Sequence, residues 1–124
     1  MILVDTSVWV DHLRGGDARL AAELETASVA MHPMVLGELA CGNLKDRQSL
    51  LALLRNLPQL PAATDAEALF FLERNCLWGR GIVYIFVHLL ASLSLQAGAR
   101  LWTRDRRLRE TADQLGLAHP EPDA

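Results

Sequence analysis

The chain has 124 residues, 51% hydrophobic and 22% charged, a balance that suits one globular domain over 1–124 and excludes a disordered chain. Its formal net charge of −3 excludes nucleic-acid binding by bulk charge alone. The two cysteines, Cys41 and Cys76, form no CxxC pair, so neither a zinc site nor a redox motif is indicated, and buried, reduced thiols in a cytoplasmic protein are expected.

In chain order, Ile2-Leu3-Val4 is a short apolar run with a β-branched bias, read as a buried strand. It is too short for a signal peptide and follows no basic segment. Asp5-Thr6-Ser7 are helix N-cap types, and residues 8–13 read as a helix closed by Gly15-Gly16. Asp17 caps a second helix over 18–26, and 28–31 reads as a second strand. Pro33 suits the first turn of a third helix that runs to about Cys41 and stops at Gly42-Asn43. Residues 46–56 form a fourth helix and 57–61 a brief strand between prolines. Thr64 caps a fifth helix over 65–77, with Glu67 as capping-box partner.

Gly79 and Gly81 break the chain before an apolar helix over 83–97 that ends at Gly98. The longest apolar stretch, 82–95, is shorter than the ~20 residues of a membrane span and is interrupted by Tyr84, His88, Ser92 and Ser94, so it reads as a buried element. Residues 100–103 read as a strand, 106–115 as a last helix stopped by Gly116, and 119–124 as a frayed tail. Alternating strands and helices define an α/β fold with a mainly parallel sheet, in which ligands bind beyond the carboxyl ends of the strands.

Two aspartates are delivered to that edge. Asp5 follows the first strand and Asp105 follows the strand containing Leu101-Trp102-Thr103. Hydroxyls accompany both: Thr6 and Ser7 beside Asp5, Thr103 beside Asp105. Glu38 is a third acid, within an otherwise apolar helix, where burial is unfavourable unless it is paired or bound to metal. Singly, Asp5 and Asp105 read as helix caps, and a solvated helix face is the plain alternative for Glu38. Together they favour a hard cation with oxygen ligands, Mg²⁺ above all, and no His/Cys spacing suggests zinc. Arg100, Arg104, Arg106, Arg107 and Arg109 read first as a solvated helix face. Core or interface packing is expected for Trp9, Trp78 and Trp102 ahead of stacking on bases.

Several segments resemble PIN-domain nucleases, and within them VapC-type toxins: Val4-Asp5-Thr6-Ser7-Val8-Trp9, Leu36-Gly37-Glu38-Leu39 with Gly42-Asn43-Leu44, Gly79-Arg80-Gly81-Ile82, His88-Leu89-Leu90-Ala91-Ser92, and Leu101-Trp102-Thr103-Arg104-Asp105-Arg106-Arg107-Leu108. The resemblance covers nearly the whole chain. It implies a PIN-like three-layer α/β/α fold and a Mg²⁺- or Mn²⁺-dependent endoribonuclease toxin acting on structured RNA such as tRNA. It also implies a homodimer and a cognate antitoxin that covers the site. The family's first, second and fourth acids carry over to Asp5, Glu38 and Asp105, with Thr6, Ser7 and Thr103 orienting water or a ligand carboxylate. Arg104, Arg106 and Arg107 would steer the phosphate backbone.

The third acid does not carry over. Phe86 stands where the family has an aspartate, and Val83 replaces a usual glycine. Phe86 removes a charge and an oxygen ligand and adds an apolar ring. Tyr84 and His88 are two positions away on the helix and read as an interfacial tyrosine and a helix-surface histidine. The alternative function is therefore a weakened or inactive PIN-fold module that keeps antitoxin and RNA binding. A nucleotide-binding α/β domain is disfavoured because no glycine-rich phosphate loop follows the first strand.

Overall fold

In the computed structural model, which describes residues 1–121, three short strands form one parallel sheet: β1 (Ile2–Val4), β2 (Val29–Ala30) and β3 (Arg100–Trp102), in the order β2-β1-β3. Ile2, Leu3 and Val4 are all buried. Side chains alternate between the faces of a strand, so burial of all three means that both faces of the sheet are covered. The chain winds from β1 to β2 and then back past β1 to β3. The winding direction therefore reverses between β1 and β3, which opens a crevice at their carboxyl ends.

Seven helices are seen among the described residues: α1 (Thr6–Gly15), α2 (Ala18–Glu25), α3 (Pro33–Ala40), α4 (Arg47–Arg55), α5 (Asp65–Arg74), α6 (Tyr84–Ser94) and α7 (Arg106–Gln114). Local chemistry sets their starts. Asp17 accepts the amides of Arg19 and Leu20, and Thr64 and Glu67 close a reciprocal capping box on α5. Helix α6 is buried on two sides. Leu89, Leu90 and Leu93 enter the main core with Leu3, Val8 and Leu101, whereas Val87 and Ala91 pack with Ala63 and Ala68 of the α5 region. A Leu-to-Ala change at such a site costs about 2–5 kcal/mol.

Several expectations need correction. Cys41 and Cys76 are exposed free thiols rather than buried ones, because each sits at or just past a helix end rather than on its buried face; Cys76 has a left-handed φ of 54°. That turn also ends α5 at Arg74, before the expected Leu77. The expected strand at 57–61 is a single parallel bridge, Met31 with Gln59. Pro58 and Pro61 lack the N–H groups that would extend it. His88 is buried rather than on the helix surface, and Trp78 is 58% exposed while Trp9 and Trp102 are core residues. The segment expected to fray is tied down as far as Glu121: Leu101 accepts from His119 N at 2.7 Å and donates to Leu117 O at 2.7 Å, and Glu121 is ion-paired. Residues 122–124 of that segment lie outside the described residues. No described helix is long and apolar enough to cross a membrane.

Candidate active site

The pairing of β1 with β3 aligns Val4 with Trp102 and continues one step further, with Asp5 N donating to Trp102 O at 2.9 Å. Asp5 is 3% exposed and is the N-cap of α1. Its Oδ2 accepts the Ser7 hydroxyl at 2.7 Å and the Thr103 hydroxyl at 2.8 Å. Both hydroxyl hydrogens are spent on that one oxygen. The lone pairs of Ser7 Oγ and Thr103 Oγ1 then accept the amides of Arg104 and Asp105, each at 3.0 Å. Asp5 Oδ1 is buried and has no hydrogen-bond partner among the described residues.

Asp105 caps α7 by accepting from Leu108 N at 3.0 Å, and it is half-buried. Glu38 is exposed on α3, where it avoids the burial penalty foreseen for it, and accepts the Thr6 hydroxyl at 2.9 Å. The sheet edge therefore links Asp5 to Asp105 through Thr103, and α1 links Asp5 to Glu38 through Thr6. Among the described residues, no three His, Cys, Asp or Glu side chains gather closely enough to form a metal cage.

Phe86 is the third residue of α6, half-buried against the main core. Helix α6 leads into β3 and runs opposite to it, so its first turn lies toward the edge where β3 ends. A contact across that edge agrees: Arg107, in the first turn of α7, donates to Gly81 O at 3.3 Å, just before α6 begins. Gly81 has a φ of +73°, and a side chain there would meet the Arg107 guanidinium. The first turn of α6 contains no acid, although the helix dipole favours one there.

The three arginines have different surroundings. Arg106 is exposed and pairs with Glu110 one turn on, at 3.1 Å. Arg107 lies against the 79–81 loop. Arg104 is engaged by three carboxylates: Asp11, Asp17 and Glu121. Its guanidinium is held above the ordinary arginine range, chiefly by Glu121 and Asp17, and its hydrogen bond keeps Asp17 below the carboxylate range.

Two buried polar groups escaped the sequence reading. His88 Nε2 meets Asp65 Oδ1 at 2.8 Å, and Tyr84 donates to the same oxygen at 3.0 Å. Asp65 is held below the carboxylate range by His88 and then Tyr84. The i, i+4 spacing of Tyr84 and His88 signals a shared face, but nothing local points to Asp65. His32, fully buried at the start of α3, accepts Met34 N on Nδ1 at 3.0 Å, which leaves Nε2 to donate to Ser92 at 2.9 Å. Burial, and then the nearby His88, push His32 down to about 4.

The unpartnered Asp5 Oδ1 is an oxygen donor of the kind a hard cation takes while keeping several of its waters, and Thr103 and Thr6 tie the elements of Asp105 and Glu38 to it. It does not fit a closed protein cage. A PIN-domain family model matches residues 2–114, and the chain belongs to the PIN-domain family. It is 49% identical over 121 residues, 98% of either chain, to the protein named Ribonuclease VapC32 in two strains of Mycobacterium tuberculosis. That similarity places it among the VapC-type members of the family.

Proposed function

We propose that this chain is a cytoplasmic, metal-dependent endoribonuclease toxin that cleaves structured RNA such as tRNA and is neutralised by a cognate antitoxin. The observation that carries the reading is Asp5, whose Oδ2 is fixed by two hydroxyls while Oδ1 stays buried and unpartnered at the crevice between β1 and β3. Asp5, Asp105 and Glu38 would hold Mg²⁺ or Mn²⁺. Such an ion supplies activation of water and offsets charge on the scissile phosphate. Ser7 and Thr103 orient Asp5, Thr6 orients Glu38, and Arg106 and Arg107 draw the phosphate backbone toward the edge. Named ribonuclease relatives at 49% identity support the reaction class.

Two grooves support the partners. One of about 900 Å³ opens beside Thr6 and Glu38 and is lined by Val10, Leu13, Leu39 and Leu53. It offers an antitoxin an apolar anchor next to Glu38. The other, of about 750 Å³, lies along α5, where Phe70 is 67% exposed. Glu67 and Arg74 line it, seven residues apart and on one side of the helix. In a two-fold pairing of α5 with its copy, each Glu67 meets the other chain's Arg74 and Phe70 lies near the axis, which supports a homodimer.

Phe86 favours a second reading, a PIN-fold module that keeps antitoxin and RNA binding with little cleavage. Digestion of RNA in Mn²⁺ by the unchanged chain and by Phe86→Asp separates the two. Cleavage by the unchanged chain supports the enzyme reading. Cleavage by the variant alone supports the module, and cleavage by neither overturns the nuclease chemistry.

A further inference from the structure

By sequence Arg104 belongs with the arginines expected to face RNA, yet its donors are committed within the protein. Nε and Nη2 donate to Glu121 Oε1 at 3.1 and 2.8 Å, Nη1 to Asp11 Oδ2 at 2.7 Å and Nη2 to Asp17 Oδ2 at 2.6 Å. These acids come from two distant stretches: α1 with the N-cap of the α2 that follows it, and the segment after α7. The guanidinium also lies over the Trp102 ring, 5.7 Å from its centroid. Asp17 and Glu121 are only 15% and 13% exposed as side chains, against 53% for Asp11, so those two bonds are the less screened.

The main chain of the same residue belongs to the site. Arg104 N donates to Ser7 Oγ at 3.0 Å, and Ser7 Oγ donates to Asp5 Oδ2 at 2.7 Å. Its neighbours complete the turn, with Thr103 on Asp5 and Asp105 as the next carboxylate. The spacing of Asp5 and Asp105 therefore depends on how the 103–105 turn seats against α1. Beyond the bonds to Ser7 and Asp5, the turn is tied from outside β3 and α7 by the three ion pairs of the Arg104 side chain.

We propose that Arg104 is a positioning residue. Clamped by Asp11, Asp17 and Glu121, it fixes the 103–105 turn so that Asp5 and Asp105 present their oxygens to one divalent cation. This inference rests on the cation reading above. Groups one layer behind metal ligands commonly change metal affinity 10- to 100-fold when altered. A planar fork that serves three acids is not reproduced by a lysine ammonium.

The test is Mn²⁺ affinity by titration calorimetry, with urea stability measured on the same metal-free proteins. Arg104→Lys and Glu121→Gln are compared with the unchanged chain and with Leu54→Ala, which weakens the core elsewhere. Glu121→Gln keeps the arginine, so any loss it causes cannot come from a missing phosphate contact. The expected result is affinity about 10-fold weaker in Arg104→Lys and measurably weaker in Glu121→Gln, with Leu54→Ala unchanged in affinity despite its lower stability. Unchanged Mn²⁺ affinity in both clamp variants makes Arg104 a purely structural tie and overturns the inference while leaving the cation reading intact. No Mn²⁺ binding by the unchanged chain overturns both.

Discussion

Thr103 donates its hydroxyl to Asp5 across 2.8 Å although 98 positions separate them in the chain. The contact exists because β1 and β3 are neighbours with Val4 level with Trp102, so the next residues of both strands face each other. Thr103→Val should strand the Asp105 amide and take one donor from Asp5. The expected loss is about 1–3 kcal/mol of stability, read by urea unfolding, with Thr103→Ser close to the parent. Equal stability of the valine and serine variants would refute this role.

Asp5→Asn keeps size and shape but removes the charge beside the unpartnered oxygen position. Cleavage of RNA in Mn²⁺ should fall at least about 100-fold, which corresponds to about 2.7 kcal/mol of lost transition-state stabilisation. Far-UV circular dichroism should match the parent. A variant that cleaves as fast as the parent would remove Asp5 from the mechanism.

The stability of the protein should respond to acid in two stages. His32 titrates near 6.5 when unfolded and at about 4 when folded, because burial disfavours its charged form. Between those values the unfolded chain binds the extra proton. The stabilisation is thus complete above pH 6.5 and drains away as the pH falls toward 4, by up to about 3 kcal/mol. Asp17 and Glu121 are shifted the other way. Arg104 leads for Asp17; for Glu121 burial pulls upward and is the largest single influence, but the bonds to Arg104 and Trp102 and the charges of Arg104 and Arg109 together outweigh it. Their contributions are present above the ordinary carboxylate range and go only below it. His32→Gln should flatten the first stage of a urea series in pH and spare the second. A parent-like slope between pH 6.5 and 4 in that variant would refute the assignment.

The α5 pairing makes a charge-reversal prediction. Glu67→Arg or Arg74→Glu alone places like charges together across the two-fold axis and should shift sedimentation toward monomer. The double variant restores opposite charges and should recover the dimer. Dimerisation indifferent to all three changes would place the interface elsewhere.

The sequence by itself determined much of this. Capping and breaking residues are local chemistry, so the starts of α2, α3 and α5 and the closing glycines of α1 and α7 were readable from Asp17, Pro33, Thr64, Gly16 and Gly116. An acid directly after a short apolar strand lands on the sheet edge in any parallel α/β fold, so Asp5 and Asp105 could be singled out without coordinates. The absence of an acid at Phe86 is equally a matter of sequence.

Tertiary structure alone decided which groups meet. The pairing of Asp65 with His88, the burial of His32 against Ser92, and the capture of Arg104 by Asp11, Asp17 and Glu121 join residues with no shared period or motif. A local pattern records which side of a helix or strand a residue occupies. It does not record what the neighbouring element brings to that side, because register and packing arise from the summed burial of the whole core. For this reason Arg104, Arg106 and Arg107, which read as part of one basic face, separate once folded into an internal clamp at Arg104 and two cations at the start of α7.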